Sequence, residues 1–163
     1  MERPDNSVRD RAGLAQVFRH FGRFEAPQVA APLYEELCEG IAEDPELLDI
    51  AAHSKVGQPA PNLLLGAVHQ LLIQGIAHPL RSHYATLCAP GETPQGDAVP
   101  LFRDFCLAHR AEIEARVAKR VTQTNVIQRC SLLLPAFAQV FEEGGRRPLA
   151  LIEVGCSAGL NLN

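Results

Sequence analysis

Apolar side chains recur every three or four residues through most of this chain, the spacing that gives a helix one buried face. Val8, Leu14, Val17, Phe18 and Phe21 share such a face, in a helix predicted to start near Asn6 or Ser7,. A loop with Pro27 follows. Pro32 opens a second helix with a Leu33, Leu37, Ile41 stripe. Asp44-Pro45 reads as a cap and first-turn proline, starting a third helix that runs to about His53,. Residues 54–61 form a loop, and Asn62 caps a helix over 62–77 that is apolar on nearly every side. Such a helix belongs inside a bundle, surrounded by the others,.

His78-Pro79 interrupts this helix, and a short helix is expected from Pro79 to Leu87. Residues 89–97 are a surface loop by composition. The longest helix is predicted from about Val99 to Val121, burying Leu101, Phe102, Phe105, Ile113 and Val117. A turn at Thr122–Asn125 leads into another helix ending near Glu143, with a kink at Pro135 and a stop at Gly144-Gly145,. Then the pattern changes. Leu149–Val154 is a continuous apolar run, fitting one strand buried on both faces,. The predicted fold is mainly α, a multi-helix bundle over 1–147. Residues 148–163 form a single C-terminal strand and glycine turn, the first strand of a truncated Rossmann-like α/β domain.

Charge adds detail. The stretch from Glu35 to Asp49 is acidic and has no basic residue, and Arg103, Arg110, Arg116, Lys119 and Arg120 make the long helix basic. Solvated faces are the default for both, with docking between them as the alternative. The chain has 163 residues, 47% of them hydrophobic and 21% charged. That is a globular composition, which excludes collagen-like, low-complexity and disulfide-scaffold classes. The net charge of −4 gives no nucleic-acid signal,. The charged N-terminus is unlike a signal peptide. The dense apolar part of 62–77, Leu63–Ala77, would span about 22 Å, short of a bilayer core, so no membrane association is expected.

The five cysteines include no CxxC pair and point to a reducing, cytoplasmic setting,. Cys38, Cys88, Cys106 and Cys130 read as small apolar residues. Cys156 lies in the glycine turn, where a thiol pKa can fall, but no partner base is identified. His69, His78, His83 and Cys88 lie close in sequence but never at the spacing that puts two ligands on one helix face,. No metal site is expected. His69 reads as a core histidine with one hydrogen-bonded nitrogen, and His78 as a helix cap or terminator.

The chemistry concentrates at Glu153-Val-Gly155-Cys-Ser157-Ala-Gly159. A glycine permits the tight turn after a strand, a small residue admits a ligand to the backbone, and a further glycine packs strand on helix. Exposed amides at the helix start then meet a polar group. The acidic residue before G-x-S-x-G resembles the first motif of class I S-adenosylmethionine-dependent methyltransferases, with Ser157 replacing the usual middle glycine. Read only by spacing, Gly155, Ser157 and Gly159 also match a hydrolase nucleophile elbow, which would need a later acid and histidine. A tight turn binding nothing is the simplest alternative.

The wider chain resembles the bacterial domain-of-unknown-function family 2332. The residues that carry this are Gln123-Thr-Asn125, Arg129-Cys130, Leu132-Leu-Leu-Pro135 and Leu149 through Leu162, together with Pro61-Asn62-Leu-Leu-Leu and Ala67-Val-His69-Gln-Leu-Leu. Val126 stands where that family has an acidic residue. The resemblance implies that this chain is the N-terminal half of a longer protein with a methyltransferase-like second half. It implies cofactor contacts at Glu153, Gly155, Ser157 and Gly159, with Asn125, Arg129 and Asn161 lining the cleft. S-adenosylmethionine would then be the cofactor of the full-length protein, with none expected on this fragment and no activity from it alone. The apolar strand is expected to pair with a second copy in a homodimer. A helical interaction or scaffold module without cofactor is the competing function.

Overall fold

The computed structural model describes residues 7, 9–88, 91, 93, 94, 96–122, 129–152 and 154. The chain forms two compact units, Met1–Thr122 and Gln123–Asn163. The first holds α1 (Arg11–His20), α2 (Pro32–Glu43), α3 (Pro45–Ala52), α4 (Ala60–Ile73), α5 (Ala98–Ala108) and α6 (Arg110–Lys119). The second holds α7 (Arg129–Glu143).

Local chemistry sets the helix starts. Asp10, not Asn6 or Ser7, caps α1, its Oδ1 accepting from the Gly13 amide at 2.9 Å. Asp44 caps α3 as expected, accepting from the Glu46 and Leu47 amides. Pro59, not Asn62, is the residue preceding α4. Two prolines therefore bracket the start, and Asn62 sits inside the first turn with its side chain exposed. α4 stops early, at Gln74-Gly75, where Gly75 adopts φ +99°,.

The first unit is closed around one core. Phe18 of α1, Leu37 and Ile41 of α2, Leu47 and Ile50 of α3, and Phe102 and Phe105 of α5 are all buried in it. α4 contributes Leu64, Leu65, Val68, Leu71 and Leu72, and it packs against α1, α3 and α6. Its central place agrees with its apolar sequence, although Gly66 and Ile73 remain exposed.

The long helix predicted over Val99–Val121 is broken. His109 leaves helical geometry (φ −115°, ψ 24°) with its ring 4.6 Å from that of Phe105. The break lets α5 pack on α2 and on the 79–83 turn while α6 buries Ile113 and Val117 against α3 and α4. One straight rod would not reach both surfaces. Pro79–Leu87 is likewise not one helix. Pro79–His83 is a 3₁₀ turn started by His78, whose Nδ1 accepts from the Leu80 amide at 3.1 Å.

The acidic stretch is not merely solvated. Arg11 grips Asp49 with two hydrogen bonds of 2.8 and 2.7 Å. Arg19 pairs with Glu43, and Arg23 with Glu39 at 3.2 Å. From α5, Arg103 reaches both Asp44 and Glu46. The pairs link α1, α2, α3 and α5.

In the second unit α7 runs through Pro135 as helix. It ends as expected at the glycine pair: Gly145 turns left-handed, its amide donates to the Glu142 carbonyl, and the Arg146 amide donates to that of Phe141,. The strand expected over Leu149–Val154 is not formed among the described residues. Arg147–Ile152 is irregular. A strand is stabilised by a neighbour that pairs its amides and carbonyls, and the described residues supply none.

Candidate functional site

Most of the residues singled out for cofactor contact, Glu153, Gly155, Ser157, Gly159, Asn161 and Asn125, lie outside the described residues. Arg129 is the first residue of α7. Cys130 follows it, and Cys156 is also outside the described residues.

The other candidate groups are placed. His69 hydrogen-bonds through Nε2 to the Thr86 hydroxyl at 2.9 Å and stacks on Tyr84 at 4.7 Å. Burial lowers its pKa. His78 is occupied in capping. Among the described residues no three histidine, cysteine or acidic side chains are grouped to hold a metal. Burial pushes the Cys38 thiol up to about 12, with Glu39 adding to the shift. It raises Cys106 and Tyr84 as well, so these groups keep their protons near neutral pH and serve as packing,.

A cleft that the sequence reading missed opens where α1 ends. The last turn of α1 widens into a π-helical turn over Phe21–Glu25 and then tightens into a 3₁₀ turn over Ala26–Val29. The π turn lies tight on α2: a Cβ added to Gly22 would stand 2.9 Å from the Cys38 Cβ. The 3₁₀ turn ends at Ala30 in the left-handed region, φ 52°,. Between these turns and the start of α4 is a cavity of about 460 Å³.

Its apolar wall is Phe21, Phe24 and Val29. Phe24 is 41% exposed and Val29 74%. The His20 ring rests 5.0 Å from that of Phe24. The Gln28 amide nitrogen donates to the Phe24 carbonyl at 2.6 Å, tying the 3₁₀ turn to the π turn before it. Glu25 and Asn62 complete the lining. Arg19 and Arg23 are engaged with α2 carboxylates, and Glu25 has no ion pair among the described residues. The signal in the sequence was slight: an aromatic residue at a polar turn, and an asparagine at the start of an apolar helix.

No helix of the described residues is long and apolar enough to cross a membrane. The class defined by this architecture is a mainly helical bundle protein with a small open cleft. The chain belongs to the bacterial family described as "Uncharacterized protein conserved in bacteria (DUF2332)", whose family model matches residues 15–163. No curated protein and no solved structure matches it.

Proposed function

We propose that this chain is the helical N-terminal half of a larger S-adenosylmethionine-dependent, methyltransferase-like protein and does not transfer methyl groups alone. The observation that carries this reading is the run Glu153-Val-Gly155-Cys-Ser157-Ala-Gly159 directly after the apolar stretch 149–152. By analogy with the methyltransferase motif, Gly155 holds the turn position, Ser157 and Gly159 hold its small-residue positions, and Glu153 stands where the motif has its acid,. A complete βαβ unit takes about 30 residues, so the turn is one part of a cofactor site and needs further strands. The exposure of α7 supports the same reading. Leu132 is 80% and Leu134 67% exposed, more apolar surface than a finished helical layer leaves to water,.

The test titrates adenosylmethionine calorimetrically into this chain and into a longer family member carrying the same turn. The longer protein is expected to bind, and to lose binding when the glycines equivalent to Gly155 and Gly159 become alanine. This chain alone is expected to show no heat. Failure of the longer protein to bind overturns the reading.

The second reading, a helical interaction module without cofactor, is favoured by the closed core of the first unit, which forms without the glycine turn. Under either reading we propose that the apolar run around Ile152 pairs with a second copy of the chain.

A further inference from the structure

We infer that the cleft at the end of α1 binds a small organic cation, an ammonium group carried on an aromatic or similarly flat apolar body. The inference is independent of the glycine turn and rests on the first unit alone.

Three observations converge. First, the cleft has an apolar wall that folding leaves uncovered. Phe24 and Val29 are exposed and Phe21 is only partly buried, on a bundle that wholly buries Phe18, Phe102 and Phe105. Second, the one acidic group in the lining is free. Arg19 and Arg23, its neighbours along the chain, are held by α2 carboxylates, and the Glu25 carboxylate lines the cleft with no ion pair among the described residues. A carboxylate beside aromatic faces attracts an organic cation both by charge and through the ring quadrupole. An anion would meet repulsion there. Third, the geometry is held in place. Gly22 against Cys38, the Gln28 bond to the Phe24 carbonyl and the left-handed Ala30 together fix the two turns that carry the wall. A preformed wall reduces the ordering cost of binding. The Asn62 side chain, exposed in the first turn of α4, offers a carbonyl acceptor for a second ammonium proton. A volume of about 460 Å³ lies within the range of small-molecule sites,.

The probe is 2-phenylethylammonium, titrated into the ¹⁵N-labelled 163-residue chain, with phenylacetate as its anionic counterpart. Saturable amide shifts confined to residues 20–29 and the start of α4 are expected for the amine, and none for phenylacetate. Glu25→Gln should weaken the amine about tenfold, the loss of one charge-assisted contact. Glu25 is exposed and has no ion pair among the described residues, so the variant should melt like the parent. Val29→Arg, which places a cation on the rim, should abolish binding. Equal binding of phenylacetate, unchanged affinity in Glu25→Gln, shifts elsewhere on the bundle, or no saturation would each overturn the assignment.

Discussion

Asp44 uses its two carboxylate oxygens for different partners: Oδ1 caps α3, and Oδ2 accepts from Arg103 Nε of α5 at 2.7 Å. One short side chain between two helices thus both starts α3 and ties it to an element far along the chain. Asp44→Ala should lower stability by about 1–2 kcal/mol, the usual cost of a lost cap. Arg103→Ala should cost less, about 0–1 kcal/mol, because the guanidinium is partly exposed and screened,. Asp44→Asn keeps the cap and loses the charge, and should fall between. Urea unfolding of the single and double variants would separate the two roles, since coupling between Asp44 and Arg103 survives only in the paired term.

The approach of α2 to its neighbours requires glycine at two places. A Cβ on Gly40 would come 2.4 Å from Val99 Cγ1, and one on Gly22 would meet Cys38 Cβ and the Glu35 carbonyl. Gly22→Ala should destabilise by about 1–3 kcal/mol, because a backbone must move. Gly40→Ala presses only on a valine side chain. Adding Val99→Ala should therefore recover most of its loss, as read from urea midpoints. No such second change on α2 should rescue Gly22→Ala fully, since Glu35 contributes backbone there.

How much of this was legible beforehand follows the same division. Asp44-Pro45, Gly144-Gly145 and the Leu37, Ile41 stripe act within a few residues, so local spacing revealed them. The break at His109 could not be seen, because Phe105 and Ile113 keep helical period across it and only tertiary packing separates their targets. The π turn was hidden for a similar reason: its position depends on Gly22 meeting Cys38 on another helix. The cleft draws Glu25 and Asn62 from segments with unrelated patterns, so no motif joins them. The acidic run left a solvated face and docking by the basic helix both open, and Arg103 on Asp44 realises the second while Arg11 and Arg19, on another helix, had no local signal.

Thiol chemistry should follow burial. Raising Cys38 from an ordinary 9.0 to about 12 leaves about a thousandfold less thiolate at a given pH near neutrality,. Cys106 is raised too, mainly by burial and further by Asp44. Iodoacetamide labelling read peptide by peptide should leave Cys38 and Cys106 unmodified in the native protein, and urea should release both together. Rapid native labelling of Cys38 would show that the α1–α2 contact opens far more easily than its packing implies.

Acid should weaken the first unit through its histidines. Burial lowers the pKa of His69; it also lowers that of His78, where His109 adds to the effect and Asp104 opposes it. A group whose folded pKa lies below its unfolded value binds protons more readily in the unfolded chain. Its contribution is therefore complete above the unfolded value of about 6.5 and is lost as pH falls below it. Thermal melts followed by circular dichroism should show Tm falling from about pH 7 to about pH 5. Combining His69→Gln with His78→Asn, which preserve the bond to Thr86 and the cap on Leu80, should flatten that fall. The Asp49–Arg11 pair runs the same way but lower, since a depressed carboxylate contributes above the unfolded pKa of about 3.9 and loses its effect beneath it,. An unchanged slope in the double variant would move the acid sensitivity to such carboxylates.

The second unit makes the sharpest demand on its surroundings. Ile152 is 90% exposed, and Leu132 and Leu134 of α7 are open to water as well. Apolar surface of this kind gains by being covered, at about 25 cal/mol for each Å² removed from water. If the run around Ile152 pairs with a second copy, Ile152→Lys should shift the chain toward monomer in multi-angle light scattering, because a charge on that segment resists edge pairing. Leu134→Glu, on the helix instead, should improve solubility without changing the oligomer. Neither should alter the melting of the first unit, whose core excludes both residues. A parent chain that is already monomeric at high concentration would remove self-pairing, and the exposed leucines of α7 would then await a different occupant.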